Sequence, residues 1–142
     1  MKKGFTLIEI LVVIGIIGIL AIGGVSSYMN VLRKGRDSKR KSDLEQIRVA
    51  LELYQSENSA YPNSNGNTQT NLRNALTAPV PYMSAASFPQ DPKAGYNYYF
   101  QRLTNTTYSL CAYLENRQTS DPNCPATYSC GTANCNYGLT QP

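Results

Sequence analysis

The chain has 142 residues, enough for one domain and too few for two large ones. Its 13 basic and 9 acidic residues give a formal net charge of +4, but six of the bases (Arg33, Lys34, Arg36, Lys39, Arg40 and Lys41) crowd one short stretch. That uneven distribution differs from the spread of a dedicated nucleic-acid binder. There is no histidine and no nucleophile motif, so the inventory of an active site is empty and an enzyme is disfavoured.

Met1-Lys2-Lys3-Gly4 reads as a short basic leader. The run Phe5 to Val25 follows, apolar throughout except for Thr6 and one acid, Glu9. A helix of about 20 residues crosses a hydrocarbon core of about 30 Å. The run is too long for the h-region of an ordinary secretory signal, about 7–15 residues. As a plain anchor it has one anomaly, since a carboxylate near a spanning segment is costly and asks for a partner. Lys2 and Lys3 place the N-terminus in the cytoplasm by the positive-inside rule. The larger cluster at 33–41 argues the other way, and the cysteines below break the tie towards an external C-terminus. Gly15, Gly18 and Ala21 are small enough to let helices approach closely in lipid. The adjacent pair Gly23-Gly24 predicts a weak point or bend.

From Asp37 to Glu57 there is no Gly or Pro, and Leu44, Ile47, Leu51 and Tyr54 recur at helical spacing. Asp37/Lys41 and Arg48/Glu52 are opposite charges four apart. The expectation is one helix over about 5–57, its first half apolar all round and its second half amphipathic. Tyr61-Pro62-Asn63-Ser64-Asn65-Gly66-Asn67 then turns the chain. Residues 70–77 suit a short helix, and Pro79, Pro81, Pro89 and Pro92 keep 78–95 extended or looped. Period-two alternation marks strands over 96–103 and 106–114, with a turn at Thr104-Asn105 and a short strand near 136–139. On the second strand Tyr108, Leu110, Ala112 and Leu114 share one face and Cys111 lies on the other. The predicted fold is α+β: a long helix packed by its stripe on a small antiparallel sheet. The expected segments are 1–4 (leader), 5–25 (transmembrane and assembly helix), 26–57 (amphipathic helix) and 58–142 (globular head).

Cys111, Cys124, Cys130 and Cys135 are the only cysteines. An even count in a polar, loop-rich tail indicates two disulfides outside the reducing cytosol. The spacings lack the paired short knuckles of zinc sites, so no metal and no cofactor is expected. Four cysteines allow three connectivities. The preferred one is Cys111–Cys135 with Cys124–Cys130, which ties the tail to the strand and closes a small inner loop.

The N-terminus Lys2-Lys3-Gly4-Phe5-Thr6-Leu7-Ile8-Glu9 resembles the processing motif of type IV prepilins and pseudopilins. The resemblance implies cleavage between Gly4 and Phe5 by a prepilin peptidase, methylation of the new Phe5 amine, and use of Glu9 in assembly. Ala50-Leu51-Glu52-Leu53-Tyr54, then Asn58-Ser59-Ala60-Tyr61-Pro62, is similar to the end of the long helix in the major pseudopilin of type II secretion. Phe88-Pro89-Gln90-Asp91-Pro92-Lys93-Ala94-Gly95-Tyr96 is similar to a loop of that group. The cysteine-rich tail departs from it and looks more like the disulfide-closed end of type IV pilins. The implied protein is a filament subunit and homo-oligomer. It is held in the inner membrane with its N-terminus cytoplasmic, handled by inner-membrane assembly machinery, and then becomes part of an extracellular or periplasmic filament. Physically, an unpaired amine and an unpaired carboxylate in apolar surroundings are both costly. Pairing Glu9 of one subunit with the Phe5 amine of the next satisfies both and fixes the axial register.

A second reading is a minor pilin that captures DNA or a surface in competence or adhesion. It rests on Arg33, Lys34, Arg36, Lys39, Arg40 and Lys41, because cations release counterions from phosphate. The plainer reading is stronger: such residues beside a membrane solvate the helix or attract anionic headgroups.

Overall fold

In a computed structural model of the chain, which describes residues 4–63, 69–117, 121–125 and 127–141, helix α1 runs from Leu7 to Asn58. The side chains of 22–26, the leader residues Met1 to Lys3 and the turn residues Ser64 to Asn67 lie outside that description. The chain divides into two units, Met1–Gly35 and Arg36–Pro142. Helical structure continues through Gly23 and Gly24. The pair therefore lowers local helix propensity without ending the helix.

In the second unit, α2 spans Gln69–Thr77 and buries Leu72 and Leu76. Pro79, Pro81, Pro89 and Pro92 remove backbone donors and fix φ, so residues 78–95 hold only one 3₁₀ turn, at Ala85–Ser87. Three strands follow: β1 at Tyr99–Arg102, β2 at Tyr108–Ala112 and β3 at Tyr137–Leu139. They form one antiparallel sheet in the order β1-β2-β3, with Phe100 opposite Leu110 and Leu110 opposite Leu139. β1 starts three residues later than the alternation predicts. Tyr96 instead bridges to Gly131, and the Asn97 N–H donates to the Cys130 carbonyl at 3.2 Å. A C-terminal loop competes successfully for the start of that strand.

The core sits where the pattern placed it. Leu44, Ile47 and Leu51 of α1 are fully buried against Tyr98, Phe100, Tyr108, Leu110 and Ala112, and Tyr54 packs at the edge. The two i,i+4 ion pairs expected on α1 are replaced by others. Asp37 pairs with Arg40 at 3.0 Å and Arg48 with Glu45 at 2.7 Å. Glu52 accepts from the Tyr61 hydroxyl at 3.0 Å. The tertiary partners of these side chains outweigh the few tenths of a kcal/mol that a surface helix pair provides.

The opposite face of the sheet carries a second, smaller core of Tyr99, Cys111, Cys124, Cys130 and Cys135, with Tyr113 and Tyr128 packed against it. All four cysteines are in disulfides, but the preferred pairing is corrected: the bonds are Cys111–Cys124 and Cys130–Cys135. The reason is local. The Cys135 N–H donates to the Tyr128 carbonyl at 2.8 Å and the Cys130 N–H to Ala133 at 2.9 Å. This tight reversal brings the Cα atoms of 130 and 135 within 5.1 Å of each other, inside the range a disulfide bridges. Residues 123–124 meanwhile cross over β3 at Gly138, whose register partner is Cys111.

The reversal is fastened to the 93–97 loop at Gly131. This residue has φ +92°, and a Cβ there would lie 2.1 Å from the Gly95 carbonyl oxygen. Gly131→Ala is expected to cost about 1–3 kcal/mol, the range for a strained left-handed backbone position. A urea midpoint unchanged from the parent chain would show that the contact is dispensable.

Candidate functional site

The first unit is a helix whose side chains find few partners in their own chain. Phe5 is 85% exposed, Leu7 83% and Leu20 70%, and every residue described from Gly4 to Ala21 is exposed. Burying an apolar side chain of that size gains about 1.5–3 kcal/mol, so a row of them in water is not a stable end state. Among the described residues no helix is long and apolar enough to cross a membrane. The expected span, Phe5 to Val25, falls partly on residues 22–25, whose side chains lie outside the description. The described helical part before them, 7–21, rises about 22 Å, short of the roughly 30 Å core.

The start of α1 is closed by Thr6 and Glu9. Thr6 is the N-cap. Its Oγ1 accepts from the Glu9 N–H at 3.4 Å. Glu9 Oε2 in turn accepts from the Thr6 N–H at 2.9 Å and from the Thr6 hydroxyl at 2.8 Å. This is a capping box, and its signature, Thr-x-x-Glu, stands in the sequence at Thr6-Leu7-Ile8-Glu9. In the single chain Glu9 therefore has a local partner. Gly4 and Phe5 lie just ahead of the box, outside the helix and exposed.

In the second unit the basic cluster meets the head. Arg40 is fully buried and its guanidinium is surrounded by carboxylates. It donates to both oxygens of Asp91, at 2.7 and 2.9 Å, and to Asp37 and Glu115, each at 3.0 Å. Arg36 grips Glu115 with two bonds of 2.6 and 2.7 Å. Asp37 accepts from the backbone N–H groups of Glu115 and Asn116 at 2.9 and 3.0 Å. Lys39 pairs with Asp43, which also accepts from the Tyr98 hydroxyl at 2.7 Å. Burial, then Asp43, holds that phenol well above its usual range. The hub ties α1 to the loops at 91 and 115.

Arg40 is thus unavailable to a polyanion, and Arg36 and Lys39 already have acidic partners. Lys41 lies over the Tyr137 ring at 5.4 Å. Arg33 and Lys34 are exposed.

The Arg36 guanidinium holds the Glu115 carboxyl down at about 2, with Arg40 helping against the opposing effect of burial. A carboxyl lowered on folding from an ordinary value of 4.5 stabilises the fold above pH 4.5. That contribution is lost as pH falls from about 4.5 towards 2. The head is expected to lose stability over that interval, and Glu115→Gln should flatten the slope. Parallel acid profiles for the two proteins would contradict the assignment.

Two family models match. One, described as the prokaryotic N-terminal methylation motif, covers residues 1–25. The other, described as type II secretion system protein G, covers residues 27–125, which is the amphipathic part of α1, α2, β1 and β2. The chain belongs to the type II secretion system protein G family. Proteins named type II secretion system core protein G resemble it at 39% identity in Klebsiella michiganensis, over 63% of this chain and 61% of that protein. The one in Escherichia coli is 36% identical, over 63% of this chain and 59% of that protein. The match therefore spans about three fifths of these relatives' length. A type IV major fimbrial protein of Dichelobacter nodosus is 42% identical over 37% of this chain and 33% of its own. No solved structure matches the chain significantly. The family match ends at residue 125, so Cys130 and Cys135 fall outside it, in agreement with the departure noted in the tail.

Proposed function

We propose that this protein is the structural subunit of a pilus-like filament of the secretion pseudopilus kind. It is held in the membrane by its N-terminal segment, cleaved between Gly4 and Phe5, methylated on Phe5, and assembled through the apolar part of α1. The observation that carries this reading is the uncovered apolar side of residues 5–21. Lipid satisfies that surface first and neighbouring helices satisfy it second. Gly15 and Gly18 support the second partner, since a Cβ at either would meet nothing within 4 Å in the single chain. Their smallness has a use only where another helix comes close. Relatives named as secretion core protein G and as a fimbrial protein support the same assignment.

Within this reading Glu9 has two roles in succession. In the isolated subunit it closes the capping box with Thr6. After cleavage a charged Phe5 amine exists, and the Glu9 carboxylate pairs with the amine of an adjacent subunit. Removal of Lys2 and Lys3 takes the net charge from +4 to +2, leaving no basic residue ahead of the apolar run. The test is the mass of the subunit from cells with and without a prepilin peptidase. With the peptidase it should lack residues 1–4 and carry one added methyl. A chain that keeps Met1 to Gly4 in cells with an active peptidase overturns the proposal.

A further inference from the structure

Between α2 and the 88–96 loop lies a cavity of about 360 Å³ that the filament reading does not use. That volume lies in the range of small-molecule sites. Its floor is the buried ring of Phe88, and its walls carry Gln69, Arg73, Gln90, Lys93 and Tyr96. Arg73 has no acidic partner among the described residues, and only one of its nitrogens is engaged, donating to the Ala85 carbonyl at 3.0 Å. A guanidinium has further donors to offer. Lys93 sits over the Tyr96 ring at 4.7 Å, and its nearest carboxylate, Glu115, is 3.9 Å away and already held by Arg36.

Both walls are tied down before any ligand arrives. The Gln69 amide donates to the Pro89 carbonyl at 2.9 Å. Asp91 is held by Arg40 through both oxygens and accepts from the Lys93 N–H at 2.8 Å. The Gly95 carbonyl accepts from the Thr132 N–H at 3.0 Å. A site fixed in advance loses less to ordering on binding.

We infer that this cavity binds a small polyhydroxylated carboxylate, a sugar acid, with Arg73 and Lys93 on the carboxylate and the two glutamine amides on hydroxyls. The wall chemistry selects this class. Two cations call for an anion, while amides both donate and accept and so suit hydroxyl groups. Asp91 also lines the cavity, but its carboxylate is buried and held through both oxygens by Arg40. A singly charged ligand rich in hydroxyls uses all four side chains, whereas phosphate leaves the two amides little to bind. The lining comes from α2 and the 88–96 loop of a single chain, so binding can be measured on the unassembled subunit.

The test uses the full chain in detergent micelles, titrated with glucuronate, glucose and inorganic phosphate and followed by calorimetry or ligand-observed NMR. Glucuronate should bind in the millimolar range, with glucose and phosphate each at least tenfold weaker. Arg73→Gln and Lys93→Gln should each weaken glucuronate at least tenfold, while Lys34→Gln leaves it unchanged. Both cavity substitutions fall on exposed side chains, so an unaltered melting curve is expected and separates lost binding from lost folding. Absence of glucuronate binding, equal binding of glucose or phosphate, or glucuronate binding unaffected by Arg73→Gln and Lys93→Gln would overturn the assignment.

Discussion

Glu9→Val is expected to leave cleavage after Gly4 intact and to abolish filament growth. The contrast with Thr6→Val gives this prediction its content. In the single chain Glu9 Oε2 is occupied by the Thr6 N–H and hydroxyl. If capping were its whole role, its loss would cost about 0.5–2 kcal/mol of helix stability, an amount that a helix of 52 residues tolerates. Filaments would then thin out without vanishing, and Thr6→Val, which removes the hydroxyl from the same box, would act alike. The pairing account separates the two. Glu9→Val leaves an unpaired amine among apolar side chains at every subunit contact, whereas Thr6→Val keeps the carboxylate for that amine. Electron microscopy of sheared fractions should show no filaments for Glu9→Val and filaments in reduced number for Thr6→Val. Normal filaments from Glu9→Val would remove the pairing idea and leave only the cap.

Arg40→Met is expected to cost about 3–5 kcal/mol, the range for breaking a buried ion pair by deleting one partner. The new side chain has similar length and is apolar, so the loss comes from charge more than from volume. Asp91 has side-chain exposure of 1% and Glu115 of 9%. Without the guanidinium, Asp91 keeps only the Lys93 backbone N–H as a donor among the described residues, and Glu115 keeps Arg36. Arg40→Lys retains one charge and loses the fork that serves three carboxylates, so it should fall between the two. Chemical denaturation of the full chain, followed by tyrosine fluorescence, gives the ordering parent, Arg40→Lys, Arg40→Met. A fully stable Arg40→Met would show that the hub contributes specificity and no net stability, as some buried pairs do.

Much of this molecule is legible in its sequence because the governing signals are periodic. Leu44, Ile47 and Leu51 repeat at helical spacing, and Tyr108, Leu110 and Ala112 at strand spacing. Burial follows the first pattern; β2 is buried throughout, and its period shows in Tyr108, Leu110 and Ala112 joining the core against α1. Cys111 falls on the far face of β2 for the same reason. Partners distant in sequence were not legible. Arg40 finds Asp91 across 51 positions and Glu115 across 75, and no local pairing rule contains such partners. The disulfide pairing depends on a reversal at 128–135 set by backbone hydrogen bonds, which cysteine spacing does not encode. The capping box is a different case. Thr6-x-x-Glu9 is a readable cap signature, but the processing motif occupies the same residues and accounts for Glu9 by itself.

The cavity beside α2 was equally hidden. Gln69, Arg73, Gln90 and Lys93 come from a helix and a proline-rich loop with no common motif. They meet because Leu72 and Leu76 draw α2 onto the core while Arg40 anchors Asp91.

The most direct test of the central claim is electron microscopy of filaments sheared from cells making this chain, carried to a resolution that traces helices. The account predicts a filament repeating this subunit, with residues 7–21 of each α1 packed on other copies of the same segment and Glu9 beside the Phe5 amine of an adjacent subunit. Filaments lacking the chain, or built with that segment still uncovered, would contradict it.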